Sequence, residues 1–389
     1  MFISHGSEKN IILLCKISCF LFIGLMIKGL WQINTLGSLS WDEPWQLTRT
    51  LQQISAGIST VIGSKENLFF PSWDGYDAYG IIQKIPSTLY ALLIWFIRDN
   101  SLNEITFPRK EYYDFSHFTS LLFAIGCGYL LLKISEIVKL KNVWLAPLIL
   151  LSTPVFNGHS LFNIKDIPFA FFFTFFTWAL IKIYQCHIVD IHKSNLALAL
   201  ISGALCSLKM TIFPIIIAEV FICYFLIYKH KTKTFHNFTF TKFCYLYFIF
   251  FIICTSTVVL LMPASWQNPL NYLYRALFEF KDFTIDICMN FDGKCQGKGN
   301  YPNWTFISYI FRWASIKLSI LNIFSIIISL ILILSTIHRI IFLNLLSLKS
   351  YVRLTFGMQL FVIPILAILA NSNIYDGIRH FLFVLPPMS

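Results

Sequence analysis

Apolar stretches approaching twenty residues recur along this whole chain, and that recurrence restricts its fold more than any other feature. About 20 apolar residues, coiled into a helix, match the roughly 30 Å hydrocarbon layer of a bilayer. Within lipid, only helices and closed barrels satisfy their own backbone hydrogen bonds. The stretches fall near residues 11–31, 116–132, 143–152, 167–181, 196–208, 211–228, 243–262, 315–337 and 355–370. A tenth begins at Phe381 and reaches Ser389, nine residues where a span takes about twenty. Composition agrees: 57% of the 389 residues are hydrophobic and 13% charged, against about 25% charged in soluble domains. The expected fold is an all-α integral membrane protein, one multi-span module over residues 1–389. No small-residue cleavage site follows the first apolar run, so it is expected to be a retained span rather than a signal peptide.

A net charge of +11 suggests nucleic acid, but the basic residues sit in short clusters between apolar runs. That is the distribution of cytoplasmic loops in a membrane protein, and nucleic acid is not an expected partner. One alternate set of short loops holds Lys133, Lys139 and Lys141; Lys182 and Lys193; Lys229, Lys231, Lys233 and Lys242; and Arg339, Lys349 and Arg353. These loops are expected to be cytoplasmic, together with the N-terminus. The opposite short loops carry Lys165, Lys209 and Arg379 singly, and most acidic residues also lie on that side. Isolated ionisable groups at membrane depth are costly and mark functional sites. The two long connections, 32–115 and 263–313, are on this outer side as well, and long ordered loops are usually functional. Any chemistry is therefore expected on the outer face.

Eight of the ten cysteines fall within or beside apolar spans, where a thiol acts as a small hydrophobe. Cys288 and Cys295 lie in the second outer loop instead and are the pair open to a local disulfide in an oxidising compartment.

Three outer segments carry ionisable groups. In the first, Ser40-Trp41-Asp42-Glu43-Pro44-Trp45 precedes apolar residues at Leu47, Leu51, Ile54, Ile58 and Val61, the steps of one helical stripe, with Gly63 as a stop. This predicts an amphipathic helix in the interface, with Asp42 as N-cap and Glu43 as its first residue. As cap and dipole partner the two carboxylates would be structural; flanked by Trp41 and Trp45 above a span, they are also placed for general-base work. The second segment, His159 to Pro168, contains Lys165 and Asp166; Asp166 reads structurally as a cap before Pro168. The third, Tyr375-Asp376-Gly377-Ile378-Arg379-His380, offers a guanidinium fork suited to phosphate, or an interfacial anchor. Lys209 stands where two spans meet with almost no loop. GxxxxGK[ST], GxGxxG and HExxH patterns are absent, so neither a nucleotide cradle nor a zinc hydrolase site is indicated.

In order and sidedness these segments resemble the GT-C glycosyltransferases that use polyprenyl-phosphate-linked sugars. Within them the chain is most similar to the protein O-mannosyltransferase and lipid A aminoarabinose transferase group (glycosyltransferase family 39 type). The resemblance rests on Asp42-Glu43, His159 to Pro168, the Gly203 to Pro214 turn with its lysine, and Asp376 to Pro387, with Tyr301-Pro302-Asn303-Trp304 as a weaker echo. It implies a GT-C-like bundle with interfacial helices in the first outer loop, Asp42 as base and Glu43 beside it in the catalytic site. Arg379, Lys209 and Lys165 would meet the lipid phosphate. Asp166, His159 and His380 would contact substrate or a divalent metal, Mg²⁺ or Mn²⁺, a cofactor left open. The implied partners are a polyprenyl-phosphate sugar donor, membrane lipids and an acceptor hydroxyl of protein, lipid or glycan. The implied location is a bacterial inner membrane with the site facing the exterior. The alternative is a secondary transporter or flippase, which would show repeated halves or paired interrupted helices; neither is evident in the sequence.

Overall fold

The computed structural model describes residues 5–37, 39, 43–63, 80–98, 108–185, 190–230, 238–278, 289–291, 294–296, 303–343, 346–362, 364–366 and 382–389. Among these, seven helices are long and apolar enough to cross a membrane: Glu8–Leu36, Arg109–Val138, Asp166–Gln185, Ile191–Leu208, Met210–Lys229, Phe240–Leu260 and Asn322–Phe342. The chain is an all-α integral membrane protein. Its helices are α1 (His5–Leu36), α2 (Glu43–Val61), α3 (Ile85–Arg98), α4 (Arg109–Val138), α5 (Leu145–Ser152), α6 (Pro154–His159) and α7 (Asp166–Gln185). They continue as α8 (Ile191–Leu208), α9 (Phe213–His230), α10 (Phe240–Leu260), α11 (Pro269–Phe278), α12 (Asn303–Lys317), α13 (Ile320–Leu343) and α14 (Leu348–Gly357). The exception to helix is a small antiparallel hairpin, Met289–Phe291 with Lys294–Gln296, in which Asn290 faces Cys295. Cys288 lies outside the described residues.

Three expected spans take a different form. The 143–152 stretch forms α5, eight residues and too short to cross a bilayer, and it ends where expected, because Thr153 is extended (φ −70°, ψ 115°) and the following Pro154 has no N–H to continue the helix. The 315–337 stretch is interrupted after Lys317, and α13 restarts behind Ser319, whose hydroxyl accepts the Asn322 N–H at 3.3 Å as an N-cap. The 355–370 stretch begins inside α14 and runs into a π-helical turn, Met358–Val362.

The tightest packing is between α8 and α10. A Cβ built on Gly203 would stand 2.5 Å from Thr257 Cβ and 2.7 Å from the Cys254 carbonyl, so the two helices touch backbone to backbone there. Small residues permit this approach where lipid supplies no hydrophobic drive between helices. Gly203→Val is expected to destabilise the bundle by about 1–3 kcal/mol through overpacking, read as a lowered unfolding midpoint in detergent; an unchanged midpoint would show that the pair can separate freely. Phe169, Phe173 and Phe176 of α7 fill the middle of the core, whereas α1 and α13 leave large apolar side chains exposed, the lipid-facing pattern.

With 32 and 30 residues, α1 and α4 are about 48 and 45 Å long, well beyond the ~30 Å hydrocarbon layer. Their projecting ends meet where α1 finishes and α4 begins. At this end both long connections also come together. Gly57 of α2 lets the helix sit on Pro263, whose Cβ would be 2.6 Å from an added Cβ, and Gln53 Nε2 donates to the Tyr272 hydroxyl of α11 at 3.3 Å. The Gly80 N–H donates to the carbonyl of Ser207, at the end of α8, at 2.5 Å. An added Cβ on Gly80 would lie 2.7 Å from that same oxygen, so only glycine fits.

Candidate functional site

Helix α2 begins at Glu43, the position read from the sequence, and Gly63 follows its end at φ +71°. The apolar stripe does not form one buried face. Leu47 and Leu51 pack with Ala91, Trp95, Tyr112 and Tyr113, but Ile58 and Val61 point outward. The buried side is mixed: beside Leu47 and Leu51 it carries Glu43, Gln46, Thr50 and Gln53, and it runs on to Gly57. Outward-facing Ile58 and Val61 lose nothing against lipid, while the polar side chains must find partners inside the protein.

Glu43 supplies the central contact. Its Oε1 lies 2.6 Å from His117 Nε2 on α4, and both side chains are only 1% exposed. His117 Nδ1 is 2.9 Å from Asn34 Oδ1 at the end of α1, and Asn34 Nδ2 donates to the Asp114 carbonyl at 3.3 Å. That donation fixes the amide so that Asn34 presents its oxygen to the imidazole. Nδ1 therefore faces an amide oxygen and Nε2 a carboxyl oxygen, so both ring nitrogens of His117 are held in place.

One turn further along α4, the Ser120 hydroxyl donates to the Asn163 carbonyl at 3.2 Å. Asn163 organises the second sequence segment. Its Oδ1 accepts the Asp166 N–H at 2.8 Å and the Lys165 N–H at 3.3 Å. Its Nδ2 lies 3.0 Å from Asp166 Oδ2 and 3.2 Å from His159 Nδ1. The expected cap is thus corrected: Asp166 is the first residue of α7, and Asn163 satisfies its backbone N–H. His159 and Lys165 are half-buried.

Lys209 takes an extended conformation (φ −153°, ψ 94°) that separates α8 from the 3₁₀ turn Met210–Ile212. Its ammonium lies 5.9 Å from the centroid of the Phe169 ring, one turn beyond Asp166. Phe383 packs edge-on against Phe169 and Phe173, with centroids 5.1 and 5.3 Å away, so residues 382–385 join the same wall. Asp42, Arg379 and His380 lie outside the described residues. Among the described residues no group of three or more His, Cys, Asp or Glu is placed to hold a metal ion.

Two residues escaped the sequence reading. His117 sits in Phe115-Ser116-His117-Phe118 at the head of a span, where a lone ionisable residue was the available signal. Lys84, in Gln83-Lys84-Ile85-Pro86, is 2% exposed, and its ammonium reaches the Gln46 carbonyl of α2 at 3.4 Å. Gln46 Oε1, both side-chain polar atoms of Gln83 and the Ser87 hydroxyl are buried and make no hydrogen bond among the described residues.

No family model, curated protein or solved structure matches the chain.

Proposed function

We propose that the chain is a membrane glycosyltransferase that moves a sugar from a polyprenyl-phosphate donor to an acceptor hydroxyl with inversion. The observation that carries this reading is the buried Glu43–His117 pair, adjoining Asp42 in sequence, at the end of the bundle where the polar face of α2 meets Lys84. The resemblance to GT-C transferases supports it independently. In this reading the acceptor oxygen attacks the anomeric carbon while its proton passes to the Asp42 carboxylate. The bond from that carbon to the phosphate oxygen breaks, and its electron pair leaves with the lipid phosphate. In this reading Lys84, Lys209, Lys165 and Arg379 are the cations that offset the charge of that phosphate. Glu43, locked by His117, keeps the start of α2 in place and holds a second negative or proton-sharing group beside the base. Asp166 orients the loop with His159 through Asn163.

The test is binding of a short-chain polyprenyl phosphate to the purified chain. Lys84→Met is expected to weaken it at least about tenfold, the factor that 1.4 kcal/mol represents. Equal affinity in wild type and Lys84→Met would remove Lys84 from the site. The orientation has its own check. A cysteine placed at position 74 is expected to react with a membrane-impermeant thiol reagent in intact cells; reaction only after permeabilisation would reverse the assignment.

A further inference from the structure

Glu219 is 1% exposed and is the tenth residue of the 20-residue span Met210–Lys229, midway along a helix long and apolar enough to cross a membrane. The proposed transfer reaction makes no use of it. Its Oε1 accepts Gln359 Nε2 at 3.0 Å, and Gln359 Oε1 is 2.8 Å from the Thr177 hydroxyl of α7. The Thr177 hydroxyl also reaches the Phe173 carbonyl at 2.9 Å, so Gln359 can present either its amide N–H or its oxygen to Glu219. Gln359 belongs to the π-helical turn Met358–Val362, a local unwinding of the kind that recurs at functional sites. The titratable groups facing Glu219 are Cys223 on its own helix and Tyr351 on α14. Among the described residues it forms no ion pair with a Lys, Arg or His.

A carboxyl in this position needs either a cation or a proton, because hydrocarbon does not solvate a bare carboxylate. Among the described residues the groups facing it are the Gln359 amide, the Tyr351 hydroxyl and the Cys223 thiol, and no group of three His, Cys, Asp or Glu is gathered there. We infer that Glu219 and Gln359 form a proton-binding site at mid-membrane, with the π turn as the element that responds to its occupancy. Binding forms an O–H bond on the Glu219 carboxyl with a proton drawn from the aqueous phase; release returns that proton to water. The ionised carboxylate accepts from the Gln359 amide N–H, whereas the protonated acid can also donate to the amide oxygen. With the proton gone, the negative charge pulls harder on the Gln359 N–H and hence on the π turn that follows α14. The site stands apart from the sugar-transfer reading, and either can fail alone.

Dicyclohexylcarbodiimide provides the probe, since it enters apolar interiors and converts protonated carboxyls to stable N-acylureas. The full chain in nanodiscs, treated between pH 5.5 and 9 and digested for mass spectrometry, is expected to carry the adduct on Glu219. Labelling should fall at least about tenfold from the acid to the alkaline end, the change that one titrating proton gives per unit of pH beyond its midpoint. Glu219→Gln keeps the hydrogen-bonding shape and is expected to fold with an unchanged unfolding midpoint while losing that adduct and its pH dependence. A Glu219 that stays unlabelled at every pH, or labelled equally at all of them, would overturn the proposal and leave the carboxyl a fixed structural group.

Discussion

Asp42→Asn is expected to lower sugar transfer by about 10²–10⁴-fold, the usual share of general acid–base catalysis, while leaving the fold within about 1 kcal/mol of wild type. The stability part follows from position. Asp42 directly precedes the first residue of α2, and Asn caps a helix about as well as Asp. The activity part follows from chemistry, since an amide accepts no proton at neutral pH. Were Asp42 only a cap, the pattern would invert: Asn would be nearly silent, and Asp42→Ala would cost roughly 0.5–2 kcal/mol with activity tracking folded protein. Rates per folded molecule, with unfolding midpoints measured in the same detergent, separate the two.

His117→Ala is expected to be the most damaging single change to stability at this end of the bundle, by about 3–5 kcal/mol. It removes the imidazole from a fully buried carboxyl and from Asn34 at once, and each buried group left without its hydrogen-bond partner costs about 1–3 kcal/mol. Glu43→Gln should cost less, because an amide can still hydrogen-bond the ring. Thermal unfolding of the three proteins in one detergent checks the order. A His117→Ala loss below about 1 kcal/mol would mean that the pair behaves like an exposed one.

The spans were legible because a 20-residue apolar run has few alternatives in a bilayer. The start of α2 at Glu43 and its stop near Gly63 followed from period and caps. What stayed hidden depends on contacts between distant segments. The 3.6-residue period of α2 located its apolar stripe, of which Leu47 and Leu51 are buried, but not that Gln46, Thr50 and Gln53 are buried as well. His117 is 74 residues from Glu43, and no local pattern announces that the two will meet. Asn163 outcompeted Asp166 as cap because its amide bonds a carboxyl and a backbone N–H together. The break at Thr153 was signalled by Pro154, and the sequence reading placed the end of that span just before it.

The central claim is that this membrane bundle transfers a sugar from a lipid phosphate. The measurement that reaches it most directly is release of free polyprenyl phosphate from defined polyprenyl-phosphate sugars by the purified chain in nanodiscs, supplied with membrane and cell-envelope acceptors. The account predicts release by the wild type, a glycosidic product of inverted anomeric configuration, and a loss of about 10²–10⁴-fold in Asp42→Asn. Equal release by wild type and Asp42→Asn, or movement of intact donor between leaflets in proteoliposomes with no phosphate released, would contradict it.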